Sequence, residues 1–344
     1  MSGKRQHFIP RFLQEGFASH KVGHAVFTWV YRKDKPPFNT NIINVGVESL
    51  FYTEEEDTLA DDIITKAEGP LSLLVADLRN SASGNISDTR LPELIAHLEF
   101  RTRHIRQSVM QTGGYLISRM IDFVGDQDFF VNYLERQFRN NPSLLRESFS
   151  KEFLQRGLPQ NMLEPMMRIT TPLIPVFMAQ LKPMLPIMAA ELRRVVIEKV
   201  PEWVKSGHIK ALKHTAPPEV KTQRYKELAY YLLSVDDDSL ILGDSAVLFK
   251  VEGPKPYKVL LEKGDKLKSI FLPLSPHTLL VGAREGNPPI VSELRQALTR
   301  CSLEYFISHK TSDGNDLLKE QIGEEAYPLT KEQMEAIVVK IMNK

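Results

Sequence analysis

The segment Gln6-His7-Phe8-Ile9-Pro10-Arg11-Phe12-Leu13-Gln14-Glu15-Gly16-Phe17 decides how the rest of the chain is arranged. His7 and Arg11 lie four residues apart on either side of Pro10, among aromatic and aliphatic side chains. Because chain termini fray unless contacts hold them, an apolar segment here indicates packing against later parts of the chain. Pro10 suits the start of a short helix, and Gly16 suits its end.

The composition predicts a globular protein without a strong overall charge. The chain has 344 residues and 42% hydrophobic content, enough for a sizeable core. Its 44 lysines and arginines almost balance its 43 aspartates and glutamates, so any polyanion site must be local. The single cysteine, Cys301, excludes an internal disulfide and a cysteine-based metal cage and predicts a free structural thiol.

The most apolar stretch of the chain, Ile169 to Ala190, is interrupted by Gln180, Lys182 and four prolines. It therefore lacks the roughly 18 uninterrupted apolar residues of a membrane span. The residues after Lys4 and Arg5 also lack the apolar run of a signal peptide. We expect a cytoplasmic protein with no membrane partner; the oligomeric state stays open.

The first third of the chain predicts a small β unit followed by a helix with one charged residue on its inner face. The segments 25–31 and 41–47 have strand composition. A helix begins near Thr58, and its apolar stripe contains Ile64 and Leu71. Glu68 lies four residues after Ile64 and three before Leu71, so the spacing predicts that Glu68 faces inward.

The next helix, from about Leu91 to beyond Val109, carries an arginine on its inner face. Leu94, Leu98 and Ile105 mark that face. Arg101 fills the missing position, three residues after Leu98 and four before Ile105, so it is expected at the core.

Two histidines and one charged pair on the same helix are not expected to form a functional site. His97 and His104 flank Arg101 and are expected at the edge of the packed face rather than as a shared ligand site. Glu99 and Arg103, four residues apart, are expected to form an ordinary exposed ion pair.

The middle of the chain, Tyr115 to about His214, has a helical pattern, and Tyr225 to Ser234 predicts one more helix. Methionines crowd this region and are expected mainly to fill core gaps, with a partner-binding groove as the alternative. They are Met162, Met166, Met167, Met178, Met184 and Met188.

The last third changes to short apolar or alternating runs separated by turn residues, which predicts a mainly antiparallel sheet. Asp244 follows one of these runs, at a turn where functional side chains are common but where aspartate is also an ordinary turn residue. The fold class is therefore α+β. We expect one integrated domain, 1–344, with an N-terminal β unit at 1–57, a helical part at 58–234 and a sheet-rich part at 235–344.

Several of these motifs, in this order and spacing, resemble a bacterial family catalogued as domain of unknown function 4238. The resemblance covers nearly the whole chain and implies a bacterial cytoplasmic protein with no established activity. Its motifs are Gln6 to Phe12, Phe51-Tyr52, Glu68, Arg101-Thr102, Leu242 to Val247 and Leu272-Pro273-Leu274-Ser275-Pro276.

Five polar side chains are candidates to meet in one pocket: His7, Arg11, Glu68, Arg101 and Asp244. One hypothesis is a phosphodiester-cleaving, nuclease-like effector. His7, Glu68 and Asp244 would act catalytically, alone or by binding a divalent metal, and Arg11 and Arg101 would hold a phosphate.

Two alternatives stay open. The same pocket can belong to a non-catalytic binding or sensing module that recognises an anionic small molecule or a protein partner. It can also be a satisfied ionic network that pins the first segment to the fold, because buried charges need partners. Whether the protein is an enzyme, and whether nucleic acid is its partner, is left undecided by the sequence.

Overall fold

The structure is a computed structural model that describes residues 4–54, 57–215, 219–235, 239–284, 288–327 and 329–342. The strands are β1 Arg5–His7, β2 His20–Val22, β3 Ala25–Arg32, β4 Lys35–Asn41, β5 Val47–Ser49, β6 Gly84–Ile86, β7 Ala229–Ser234, β8 Leu242–Gly243, β9 Leu248–Val251, β10 Tyr257–Lys258, β11 Leu267–Pro273, β12 Thr278–Ala283 and β13 Phe306–Ser308. The α-helices are α1 Arg11–Gln14, α2 Leu59–Asn80, α3 Leu91–Phe100, α4 Arg103–Gly125, α5 Gln127–Asn140, α6 Pro142–Gln155, α7 Leu163–Thr170, α8 Ile174–Leu181, α9 Leu185–Thr215, α10 Glu219–Lys226, α11 Val291–Cys301, α12 Asp313–Leu318 and α13 Lys331–Met342.

Backbone contacts divide the chain into two compact units. The first comprises Met1–Val109 and Trp203–Thr330, and the second comprises Met110–Glu202 and Lys331–Lys344. The expected single integrated domain stays a prediction.

The first unit contains the sheets, and every strand pair described in it is antiparallel. The C-terminal sheet has the order β10-β9-β11-β12-β7-β6, and a second sheet has the order β2-β3-β13-β8, with β4 also on β3. Strand β1 pairs with β5. The predicted α+β class, with a small N-terminal β unit, a large helical middle and a C-terminal antiparallel sheet, is confirmed.

One predicted helix is wrong. Residues 229–234, within the segment expected to be helical, form β7, which pairs with β12 from Thr278↔Ser234 to Ala283↔Ala229. The sequence Ala-Tyr-Tyr-Leu-Leu-Ser is apolar and aromatic, and a short run of this kind fits a buried strand as well as a helix. Pairing with β6 on its other side makes β7 an interior strand of the sheet.

The first segment is fixed at both of its ends. Phe8 N–H donates to Gly46 O at 2.7 Å. Gly46 has φ +62°, and a Cβ at this position would lie too close to Ile9, so glycine is required here. After the short helix α1, a Cβ at Gly16 would lie 2.0 Å from Leu274 O. The glycine therefore allows the first segment to approach the Pro-Leu-Ser-Pro turn of the C-terminal sheet.

Arg79, near the end of α2, bridges the same two regions. Its Nε donates to Leu274 O at 2.7 Å, and its Nη2 donates to Leu13 O at 2.9 Å. Burial lowers the pKa of Arg79 to about 10, which leaves it charged at neutral pH. One partly buried cation thus holds backbone carbonyls of the first segment and of the Pro-Leu-Ser-Pro turn together.

The second unit is helical in the residues described, and many of its large apolar side chains are exposed. Met162, Met166, Met184 and Met188 have exposed fractions of 39–55%, so the expectation that the methionines fill core gaps is wrong for these four. Among the described residues, one helical stretch, Gln160–His214, is long and apolar enough to cross a membrane. This stretch meets the criterion by length and composition alone, and 11% of its most apolar 18-residue segment is buried.

Candidate functional site

The candidate site is built around a break between α3 and α4. One continuous helix was expected here, but α3 ends at Phe100 and α4 begins at Arg103. The carbonyl of Phe100 instead accepts from His208 Nε2 at 2.9 Å, and the carbonyl of Arg101 accepts from Tyr52 Oη–H at 2.8 Å. These side chains satisfy carbonyls that a continuous helix would have bonded internally. The break is therefore held by tertiary contacts rather than by glycine or proline.

Arg101 occupies the core position that the sequence predicts, and it is 2% exposed. Its Nη1 donates to Glu68 Oε1 and, at 3.1 Å, to His97 Nε2. Its Nη2 donates to His7 O, and its Nε donates to Tyr52 Oη at 3.3 Å. We call this set the Arg101 network. Four of the five guanidinium N–H groups of Arg101 thus have a protein acceptor, and the phosphate-holding role of Arg101 stays a prediction.

His97 is buried within the Arg101 network rather than at the edge of a packed face. Burial and the neighbouring Arg101 charge lower the pKa of His97 to about 3. The ring is therefore neutral at physiological pH, and its Nε2 lone pair accepts from Arg101. Sequence spacing placed His97 beside Arg101, but it gave no signal that the side chain accepts this hydrogen bond.

His7 differs from the other members because one of its ring nitrogens has no partner. The ring hydrogen-bonds the backbone of Ile42. Its Nε2 is buried with no hydrogen-bond partner, so Nδ1 is the nitrogen that donates to Ile42. Burial is the main cause that lowers the pKa of His7 to about 4, and the Arg11 and Arg101 charges lower it further. His7 is thus a neutral imidazole whose buried Nε2 lone pair has no donor among the described residues.

Arg11 and Glu68 are the more exposed members of this cluster. Arg11 is exposed, and its guanidinium has no hydrogen bond or ion pair among the described residues. The Glu68 side chain is 29% exposed and uses Oε1 to accept from Arg101. Three of the other predicted site residues, Arg11, Glu68 and Arg101, therefore lie within electrostatic reach of His7.

Asp244, the fifth predicted residue, lies in a different buried cluster. Its carboxylate accepts from the backbone N–H groups of Leu303 and Glu304, each at 2.8 Å, and of Tyr305 at 3.3 Å. Its other described neighbour is His104, whose Nε2 lies 3.8 Å from Asp244 Oδ1. Burial raises the pKa of Asp244, and these N–H groups and His104 oppose that shift. Asp244 thus orders the backbone that leads into β13.

A second buried arginine was missed by the sequence analysis. Arg106 donates from Nε to His208 Nδ1 at 2.9 Å and from Nη2 to Phe51 O, and its guanidinium lies 3.7 Å from the centre of the Phe51 ring. Because His208 accepts at Nδ1 and donates from Nε2 to Phe100 O, its ring must be the neutral Nε2–H tautomer. Burial lowers the pKa of His208 to about 4, in agreement with that assignment.

The expected exposed pair between Glu99 and Arg103 is also wrong. Glu99 is fully buried and accepts from Tyr225 Oη at 2.5 Å, from Leu261 N at 3.0 Å and from Lys221 Nζ. Arg103 pairs with Glu304 at 2.9 Å and with Glu48 at 3.7 Å. The break after Phe100 removes the continuous i,i+4 geometry on which the expected pair depended.

The residues present do not form a ready metal site. Among the described residues, no group of three or more histidine, cysteine, aspartate or glutamate side chains is placed to hold a metal ion. Glu68 is already paired with Arg101, and Asp244 lies in the other cluster. The proposed ligand set His7, Glu68 and Asp244 therefore does not fit a shared divalent metal.

The fold and site define an α+β protein whose first segment is fixed by a buried arginine-centred network. The profile of a family described as "Protein of unknown function (DUF4238)" matches residues 5–343. The chain belongs to this family, as the motif order predicts. No curated protein and no solved structure matches the chain.

Proposed function

We propose that the protein is a binding module that recognises an anionic ligand at the open side of the Arg101 network, through Arg11 and His7. The observation that carries this proposal is the contrast within the cluster. Arg101 has an acceptor at each guanidinium nitrogen, whereas the Arg11 guanidinium has none among the described residues, and the buried His7 Nε2 has no hydrogen-bond partner there. An anion can accept from the Arg11 N–H groups, and a neutral imidazole near the anion can take up a proton.

The ligand chemistry follows from the charges. Arginine recognises phosphate and carboxylate groups through paired N–H donors. His7 is neutral when the site is empty, because burial and two arginines disfavour a further positive charge. An anion bound beside Arg11 offsets that repulsion and raises the pKa of His7, so that the protonated ring adds a second positive charge near the anion. Binding is therefore expected to tighten as the pH falls from 7 toward 5.

Isothermal titration of the full chain with inorganic phosphate tests this proposal. Arg11→Gln is expected to weaken phosphate binding about tenfold or more, because one charge-assisted contact is lost. Arg139→Gln, at an exposed position in the second unit, serves as the matched control and is expected to bind as wild type does. Equal phosphate affinity in wild type and Arg11→Gln would contradict the proposal.

Phosphodiester cleavage is the second candidate function, and the free lone pair of His7 is the observation that favours it. A neutral imidazole can act as a general base toward a ribose hydroxyl without a metal ion while Arg11 holds the phosphate. The described network offers no general acid with a free proton, since Tyr52 Oη–H already donates to Arg101 O. For this reason we place binding ahead of catalysis.

An RNA cleavage assay separates the two functions. Under the binding proposal, a single-stranded RNA oligonucleotide stays intact with the protein in EDTA and also with magnesium. Cleavage that is lost in His7→Gln and kept in Arg139→Gln would instead establish the catalytic alternative.

A further inference from the structure

A second charged surface of the first unit lies far along the sequence from the Arg101 network and is built differently. It is an open concavity of about 690 Å³ on the C-terminal sheet, which we call the basic basin. The cationic residues that line the basic basin are Arg224, Lys250, Lys263, Lys266, Lys268 and Arg284. The acidic lining residues are Glu227, Glu252 and Asp265, so cations are in excess in a chain whose net charge is only +1.

Adjacent strands place these cations side by side. Lys250 on β9 pairs with Ser269 on β11, and the backbone of Arg284, just after β12, bonds to Lys268 O. The β9–β11 register shifts between Leu267 and Ser269, and at such a bulge successive side chains no longer alternate regularly. Lys268 and Ser269 consequently both line the basin. Neighbouring strands lie about 4.8 Å apart, so the sheet presents a row of closely spaced cations.

The acidic side chains neutralise only part of this charge. Asp265 is held by Lys258, at 2.6 Å, which is not a lining residue. Glu252 is shared by Lys266 at 3.4 Å and Lys268 at 3.8 Å, and Glu227 pairs with Arg284. The Glu252 and Glu227 pairs are exposed and of the kind that contribute little to stability, whereas the Lys258 and Asp265 side chains are only 14% and 11% exposed.

Several cations of the basin have no acidic partner among the described residues. Arg224 donates to the backbone carbonyls of Glu262 and Asp265, and Lys250 lies over the Tyr257 ring. Lys263 has no described hydrogen bond or ion pair. Like charges on neighbouring strands repel each other and lower stability unless an anion lies between them.

We propose that the basic basin binds a chain of linked phosphate groups, as in a nucleoside triphosphate or inorganic polyphosphate. Its volume lies in the range of small-ligand sites, roughly 300–1,000 Å³. Its lining contains no aromatic side chain and one large apolar one, Leu267, so it offers no stacking platform for the exposed bases of a single-stranded nucleic acid. The near-zero net charge of the chain also provides no extended field for a duplex. The closely spaced negative charges of linked phosphates match a row of cations that are spaced as neighbouring strands are.

Isothermal titration with inorganic tripolyphosphate, ATP and a duplex DNA oligonucleotide tests this assignment. Wild type is expected to bind tripolyphosphate, ATP or both. The triple variant Lys250→Gln, Lys268→Gln, Arg284→Gln is expected to bind them roughly 100-fold more weakly, because three charge-assisted contacts are lost. The control variant Lys66→Gln, Lys199→Gln, Lys210→Gln removes the same charge from exposed positions elsewhere and is expected to bind as wild type does.

The outcomes distinguish the sources of the ligand and the two sites. Tighter binding of ATP than of tripolyphosphate identifies a nucleotide, and the reverse identifies the phosphate chain alone. Loss of inorganic phosphate binding in Arg11→Gln and loss of tripolyphosphate binding in the basin triple variant are separate results, so failure at one site is separable from failure at the other. Equal affinity in wild type and the basin triple variant would overturn the assignment. So would binding of the duplex without binding of tripolyphosphate or ATP.

Discussion

The Arg101 network and the basic basin lie in the same unit, but the central charge of the network is buried whereas most charges of the basin are exposed. Arg101 is 2% exposed and has an acceptor at every guanidinium nitrogen. In the basin, Lys250 and Lys263 reach the surface without an acidic partner among the described residues. A buried charge requires partners because desolvation is costly, whereas an exposed charge can remain available. The buried charges of the Arg101 network therefore hold the fold, and the exposed charges of the basic basin are free to bind a ligand.

The largest expected effect comes from removing the centre of the network. Arg101→Leu leaves His97 Nε2, His7 O and Tyr52 Oη without their donor. Breaking a buried charge network of this kind costs about 3–5 kcal/mol of unfolding free energy. Urea denaturation measures the loss, with Arg103→Leu as the control because Arg103 is 31% exposed and is expected to lose less than about 1 kcal/mol. Similar losses in both variants would erase the distinction.

Asp244 tests whether the second buried cluster is also structural. Asp244→Ala leaves the N–H groups of Leu303, Glu304 and Tyr305 without their acceptor. A loss of about 2–3 kcal/mol is expected, together with faster amide exchange in β13. Asp316→Ala, whose carboxylate is 44% exposed beside Lys319, is the control and is expected to have little effect. Unchanged exchange in β13 would show that Asp244 does not order this backbone.

The buried histidines predict how stability depends on pH. The folded pKa of His208 is lowered to about 4 from 6.5, so between these values the unfolded chain binds more protons. The stability from neutral His208 is therefore complete above pH 6.5 and is lost as the pH falls toward 4, by about 2 kcal/mol at pH 5. His208→Gln can keep both hydrogen bonds without titrating, and it should show a smaller loss between pH 7 and pH 5. An equal loss in wild type and the variant would assign the pH dependence elsewhere.

The smallest expected effect on stability belongs to the basin. The triple variant Lys250→Gln, Lys268→Gln, Arg284→Gln should change the free energy of unfolding by no more than about 0.5 kcal/mol, because exposed charges contribute little. A slight gain is compatible with relief of repulsion between neighbouring strands. A loss comparable to that of Arg101→Leu would mean that the basin cations also hold the fold.

Helical spacing was sufficient to predict the burial of Arg101, and the need of buried charges for partners indicated its pairing with Glu68. It could not reveal the break after Phe100, because Tyr52 and His208, which satisfy the freed carbonyls, come from distant parts of the chain. The error at Glu99 followed from the same missed break. Local spacing describes one element, while the partners of a buried charge are decided by how several elements pack.

In the sheet-rich part of the chain, strand pairing between distant residues limited what could be predicted. The antiparallel C-terminal sheet was visible in the short alternating runs, but β7 was not, because its apolar run suits either a helix or an interior strand. Asp244 was grouped with His7 only because both are polar residues in motifs. Pairing of β8 with β13 places Asp244 beside residues 303–305 instead, and that long-range pairing carries no local signal.

The most direct test of anion recognition by Arg11 and His7 is the pKa of His7, measured by NMR of its ring with and without saturating inorganic phosphate. We expect a pKa of about 4 without phosphate and a clear rise with it, because the bound anion stabilises the protonated ring. The rise should disappear in Arg11→Gln. A pKa near 6.5 that does not respond to phosphate would contradict the proposed site.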